Sequence, residues 1–198
     1  MDENCKTIGA CNTVLNENGR FRGYNTDMDG FLEPIKKRNI VIKNSSVLLL
    51  GAGGAARAII AGMVTEKASN VTIVNRTTEH SLELKKFAQD LGLAAEIKTI
   101  EEMNEFNTDY NFIINSSSLG LKNETNIIPT KIINEETVVY DIVYKPVNTE
   151  LIKESKKKNA QIIYGYEMLL SQAVRSFEIW LKQEAPYEIG RASCRERV

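Results

Sequence analysis

Residues 47 to 62 read Val-Leu-Leu-Leu-Gly-Ala-Gly-Gly-Ala-Ala-Arg-Ala-Ile-Ile-Ala-Gly, an apolar strand running through a glycine turn into an alanine-rich helix. Few folds suit that order. Four consecutive apolar residues, Val47 to Leu50, fit a parallel strand covered on both faces. Gly51 permits a tight turn, and Gly53 lets backbone approach a ligand with no Cβ between them. Ala52 completes the turn, and Gly54, Ala55 and Ala56 keep the helix start slim. Free N–H groups and the positive end of the helix dipole can then face phosphate oxygens. An ordinary glycine-rich turn would show the same residues, but a second signal one strand later favours a dinucleotide.

That signal is Val71-Thr72-Ile73-Val74-Asn75-Arg76-Thr77-Thr78, a strand ending where the adenosine ribose of a bound dinucleotide would lie. An NAD site places a carboxylate there for the ribose 2′-hydroxyl, and that carboxylate would repel a 2′-phosphate. Asn75 and Arg76 occupy this place, and a guanidinium favours the 2′-phosphate of NADP. Thr77 or Thr78 also reads as the cap of a helix over 79–90, and the two roles are compatible.

A length of 198 residues suits one domain, or one domain with part of another. The formal net charge of −1 argues against a nucleic-acid partner held by bulk charge. No apolar run approaches membrane-spanning length and no leader-like segment opens the sequence, so no membrane partner is expected. Cys5, Cys11 and Cys194 show neither metal-type spacing nor a paired framework, which fits a reducing cytoplasm and no metal. His80 stands among polar residues and reads as a surface side chain, and the run Lys156-Lys157-Lys158 as a solvated helix face.

Along the chain, two short strands flank Asn18-Gly19, a hairpin signal, and Thr26 or Asp27 can cap a helix over 28–38. Strands are then expected at 47–50, 71–74, 96–99, 112–115, 138–141 and 161–164, alternating with helices at 79–90, 100–106 and 149–158. This alternation predicts an α/β, Rossmann-like, doubly wound parallel sheet. A last helix over 167–182 carries a wide apolar face that must pack on something, and Met168 and Gln172 share one side of it.

Taken together, Ile8-Gly9-Ala10-Cys11-Asn12-Thr13, Gly23-Tyr24-Asn25-Thr26-Asp27, the 51–58 glycine turn and Asn75-Arg76-Thr77 resemble the shikimate dehydrogenases. So do Ile114-Asn115-Ser116-Ser117-Ser118-Leu119-Gly120, Tyr140-Asp141-Ile142-Val143-Tyr144-Lys145-Pro146 and Met168-Leu169-Leu170-Ser171-Gln172. The resemblance runs from Ile8 to about Trp180. It implies NADP-dependent reduction of 3-dehydroshikimate to shikimate, in the pathway to chorismate and the aromatic amino acids, by a monomer or homodimer. It further implies that Asp27 is the carboxylate of a catalytic Lys-Asp pair, and that Asn12, Asp27, Tyr144 and Gln172 bind the substrate. Gly51, Ala52, Gly53, Gly54 and Ala55 would hold the pyrophosphate, and Asn75, Arg76 and Thr77 the 2′-phosphate. Asn115, Ser116, Ile142, Gly165 and Met168 would line the nicotinamide half. The chemistry suits these types, because hydride delivery to a ketone needs a proton donor or cation at its oxygen. Singly, Asn12 also reads as a strand terminator, Asp27 as a helix cap, Tyr144 as loop packing and Gln172 as an exposed helix residue.

In that family a Ser-x-Ser segment and the catalytic lysine precede the Ile8–Thr13 motif, and no lysine here stands in a matching motif. Residues 1–27 are therefore expected to be a remnant of a substrate domain, 28–164 the NADP domain and 165–186 a helix packing back on the first. Residues 189–198 resemble a translated sequencing adapter. On this reading the polypeptide alone binds NADP better than it catalyses, and its hairpin edges and last helix are left uncovered. The alternatives are a quinate/shikimate dehydrogenase using NAD, a relative of glutamyl-tRNA reductase with the same glycine turn, and a non-catalytic NADP-binding module.

Overall fold

The computed structural model describes residues 1–102, 106, 110–117 and 130–185. The expectations that fall on Ser118, Leu119, Gly120 and residues 189–198 lie outside the described residues. Eight strands and six α-helices follow one another as α1 (Glu3–Ile8), β1 (Thr13–Glu17), β2 (Arg20–Tyr24), α2 (Asp27–Lys37), β3 (Ser46–Leu50), α3 (Gly54–Thr65), β4 (Asn70–Val74), α4 (Thr78–Asp90), β5 (Ala94–Lys98), β6 (Phe112–Asn115), β7 (Val138–Asp141), α5 (Glu150–Lys157), β8 (Gln161–Tyr164) and α6 (Gly165–Leu181). The last six strands form one parallel sheet in the order β5-β4-β3-β6-β7-β8. Numbered from β3, that is 3-2-1-4-5-6, the dinucleotide-fold order, with its switch point between β3 and β6.

Alternation of side chains across the pleat divides the core in two. Val47, Leu49, Ile73, Phe112, Ile114 and Tyr140 join one cluster with Phe31 and Ile35 of α2 and Ile59 of α3. Leu48, Leu50, Val74, Ile113 and Val139 join the other with Phe106, Tyr110 and Leu151. Because both faces are covered, β3 is apolar at every position from Val47 to Leu50. The alanines of α3 let it lie close to the sheet, and a Cβ on its Gly62 would come within 3.1 Å of the Phe31 ring of α2.

β1 and β2 pair antiparallel, joined through Asn18 and Gly19, both at positive φ as a tight hairpin turn requires. Helix α1 was not foreseen. Its six residues bury only Cys5 and Ile8, too little for a periodic signal, and Asp2 and Gly9 cap its two ends. Of the helix expected over 100–106, residues 101–102 form only a short 3-10 turn, and 103–105 lie outside the described residues.

Candidate active site

At the switch point, Gly51 adopts φ +98°, and a Cβ there would come within 2.8 Å of the Ser117 amide nitrogen. Glycine is thus required both by the turn and by the loop after β6. Hydrogen bonds fasten this floor: Gly51 N–H to the Val74 carbonyl at 2.8 Å, Ser116 N–H to the Leu50 carbonyl at 2.7 Å, and the Ser116 hydroxyl to the same carbonyl at 3.0 Å. Above it, positions 53 and 54 face open space, with no atom within 4 Å of a Cβ built on either. No side chain caps the first turn of α3. Slim residues, an uncapped helix N-terminus and room for a ligand fit a pyrophosphate. At the end of β4, Arg76 and Thr77 are exposed, and Asn75 donates to the Thr77 carbonyl at 2.9 Å. Thr77 stands at the N-cap of α4 without making the side-chain bond expected of a cap.

Asn115 and Ser116 are held by protein partners. Asn115 donates to Asp141 Oδ1 at 2.9 Å, and Asp141 accepts further bonds from Val143 N–H at 3.1 Å and Thr149 Oγ1 at 2.5 Å. Asp141 is fully buried, which pushes its carboxyl up, and these three donors oppose that shift. It ties the loops after β6 and β7 together, a role its place in an apolar strand did not reveal. Met168 is buried in the first core cluster with Ile142 packed against it. A Cβ on Gly165 would overlap the Ile142 carbonyl, so glycine is needed where α6 starts against this loop.

A second group of polar residues gathers Asn12, Thr26, Asp27 and Gln172 where α2 crosses α6. The crossing is close: a Cβ on Gly30 would lie 2.6 Å from Cβ of Gln172. Asn12 Nδ2 donates to Asp27 Oδ1 at 2.9 Å and to Thr26 Oγ1 at 3.1 Å, while its Oδ1 accepts from Thr26 N–H at 3.0 Å. An N–H on one side and a carboxylate on the other allow one orientation of that amide. Thr26 Oγ1 reaches Gln172 Oε1 at 3.4 Å. Burial pushes the Asp27 carboxyl up from its ordinary value, and the Asn12 bond partly offsets this. Among the described residues no cation is ion-paired with Asp27.

Thr26 occupies the N-cap position of α2 but makes no side-chain capping bond; instead Asn25 Oδ1 accepts from Asp27 N–H at 3.0 Å. That leaves the Asp27 carboxylate for Asn12. Tyr144 is 51 % exposed and makes no hydrogen bond among the described residues, so no contact joins it to Asp27 or Gln172. Thr13, Thr26 and Ser176, all buried, belong to the same polar group; Thr26 was singled out from sequence only as a helix cap, and the other two not as site residues. Hydroxyls on threonine and serine are too common for any spacing to mark them.

The family model for shikimate/quinate 5-dehydrogenase matches residues 34–154, and that for the shikimate 5′-dehydrogenase C-terminal domain matches 165–195. A shikimate dehydrogenase (NADP(+)) from Nitrosopumilus maritimus is 59 % identical over 187 residues, spanning 94 % of this chain and 68 % of its own length. The chain belongs to the shikimate dehydrogenase family. Within that family, the crystal structure of the Aquifex aeolicus shikimate dehydrogenase superposes with a TM-score of 0.84 at 38 % identity, covering 98 % of this chain and 70 % of that one. The Thermus thermophilus shikimate 5-dehydrogenase, solved in complex with NADP(H) and shikimate, superposes with a TM-score of 0.84 at 31 % identity, covering 100 % and 72 %. The chain thus spans about two thirds of the length of the Nitrosopumilus shikimate dehydrogenase. No described helix is long and apolar enough to cross a membrane, and no described cluster of His, Cys, Asp or Glu suits a metal ion.

Proposed function

We propose that this chain serves the NADP-linked interconversion of 3-dehydroshikimate and shikimate, working physiologically as a reductase. The observation that carries the reading is the Asn12–Asp27 pair, held against Gln172, in a chain that also carries an open glycine cradle at its switch point. Residues 51–55 would hold the pyrophosphate, and Arg76, with Asn75 and Thr77, the 2′-phosphate. Asn115, Ser116, Ile142, Gly165 and Met168 would shape the nicotinamide end. Bound NADP supplies or accepts the hydride.

The chain's own residues do the rest. Asn12 and Gln172 offer amides that read ring hydroxyls without adding charge, and Tyr144 would close over the ring from the cofactor side. Asp27 holds a proton-exchanging carboxylate whose raised affinity for the proton suits general acid–base work. We assign the chain to a reducing cytoplasm on its thiol usage and leave its assembly as monomer or homodimer.

Titration of the chain with NADPH and with NADH tests the cofactor half, and shikimate-dependent NADP reduction tests the rest. Preference for NADPH with a shikimate response supports the reading. Equal affinity for NADH, or reduction driven by quinate alone, would overturn it.

A further inference from the structure

Three hydroxyls meet behind Asn12, and their acceptors point to one order of their protons. Ser176 Oγ lies 3.0 Å from the Gln172 carbonyl, 2.7 Å from Thr13 Oγ1 and 3.2 Å from Thr26 Oγ1. Ser176 Oγ donates to that carbonyl, which can only accept, in the back-bond a helical serine makes to the residue four before. Ser176 Oγ is then an acceptor, and the short Thr13 contact makes Thr13 its donor. Thr13 has a competing acceptor, Asn12 Oδ1, at 3.1 Å, and the Thr26 hydroxyl, 3.3 Å from that oxygen, has Ser176 Oγ at 3.2 Å as its nearer acceptor. Thr13 and Ser176 are buried, at 2 % and 7 % exposure, so no bulk water rearranges this order.

We propose that Ser176 is a positioning residue for Asn12: by drawing the Thr13 proton toward itself, it keeps a lone pair of Asn12 Oδ1 open for a substrate hydroxyl. Asn12 is an exposed residue, and Thr26 N–H fixes one side of its oxygen. The proposal rests on the reading of Asn12 as a substrate ligand.

In Ser176→Ala the Thr13 hydroxyl turns onto Asn12 Oδ1 and competes with the substrate. KM for shikimate should rise about three- to tenfold, the scale of one net hydrogen bond, with kcat changed by less than about twofold. Adding Thr13→Val removes the competing proton and should return KM toward the parent value. A cavity left by the serine would not be mended by a second substitution. Ser176→Cys keeps the side-chain volume but accepts poorly, and should fall between parent and alanine variant.

The side-chain amide resonances of Asn12 in the ligand-free chain give a readout independent of turnover. They should shift in Ser176→Ala and return in the double variant. A parent chain that takes up no shikimate would sink the functional reading, and these resonances would still judge the hydrogen-bond order. Unmoved Asn12 resonances, or effects of the two substitutions that simply add, would overturn the proposal.

Discussion

Two side chains carry the proposed chemistry at the scale of single residues. The Asp27 carboxyl is pushed up from 3.8 mainly by burial, so the ionised form is the one the fold disfavours. Below about pH 3.8 both folded and unfolded chains carry the proton and the group costs nothing. As pH rises through the raised folded value, ionisation removes stability, and above it the full penalty is present. Asp27→Asn keeps an acceptor for Asn12 and should therefore raise the thermal midpoint at pH 7, the gain vanishing in melts below pH 3.8. Arg76 is the second such residue. Arg76→Ala should weaken NADPH about ten- to hundredfold, the worth of a charge-assisted phosphate contact, and leave NADH within about twofold in parallel titrations. Both residues were singled out from sequence, since a charge type at a strand end or beside a motif is itself the signal. Thr13 and Ser176 were not, and Thr26 only as a helix cap, because their meaning lies in which hydroxyl faces which, across more than 140 positions of chain.

At the scale of elements, close approach is the governing feature. α2 and α6 touch at Gly30, where a Cβ would lie 2.9 Å from the Gln172 backbone nitrogen, an atom with no freedom to swing aside. Gly30→Ala must push the helices apart, and we expect it to cost about 1–3 kcal/mol in urea unfolding, as overpacking does, with Gln172 displaced from Thr26. The loop tie at Asp141 belongs here too. Asp141→Ala leaves Asn115 and Thr149 without their buried acceptor and should cost about 2–4 kcal/mol in the same measurement. The strands 112–115 and 138–141 could be placed to the residue because each is a short, largely apolar run buried on both faces, and 161–164 matched as well although only Ile163 of that edge strand is buried. Helix boundaries drifted by one or two residues where caps gave conflicting cues. α1 was invisible because capping, not periodicity, defines it.

For the whole molecule, the parallel sheet and the hairpin are unequal partners. The central strands of the sheet are buried on both faces, whereas the hairpin leaves Val14 at 52 % and Phe21 at 77 % exposure on one face. Trp180 of α6 lies against the hairpin, its indole N–H bonded to the Val14 carbonyl at 3.0 Å, and is itself half exposed. Such a patch on a strand pair invites self-association. Phe21→Ser should slow aggregation followed by light scattering while leaving the thermal midpoint nearly unchanged. The doubly wound order was readable from alternation alone, since strands and helices of these lengths leave few other topologies. The exposed hairpin face was not, because Val14 and Phe21 look like ordinary strand residues until their neighbours are known. Thr13 and Ser176 add one further consequence: their contact joins positions 163 apart. A loop that long cannot close until α6 has left the ribosome and docked, whatever the nascent sheet has already achieved. The proposed site is therefore assembled after the glycine turn, and a chain stalled before α6 would hold that turn without Gln172 or Ser176.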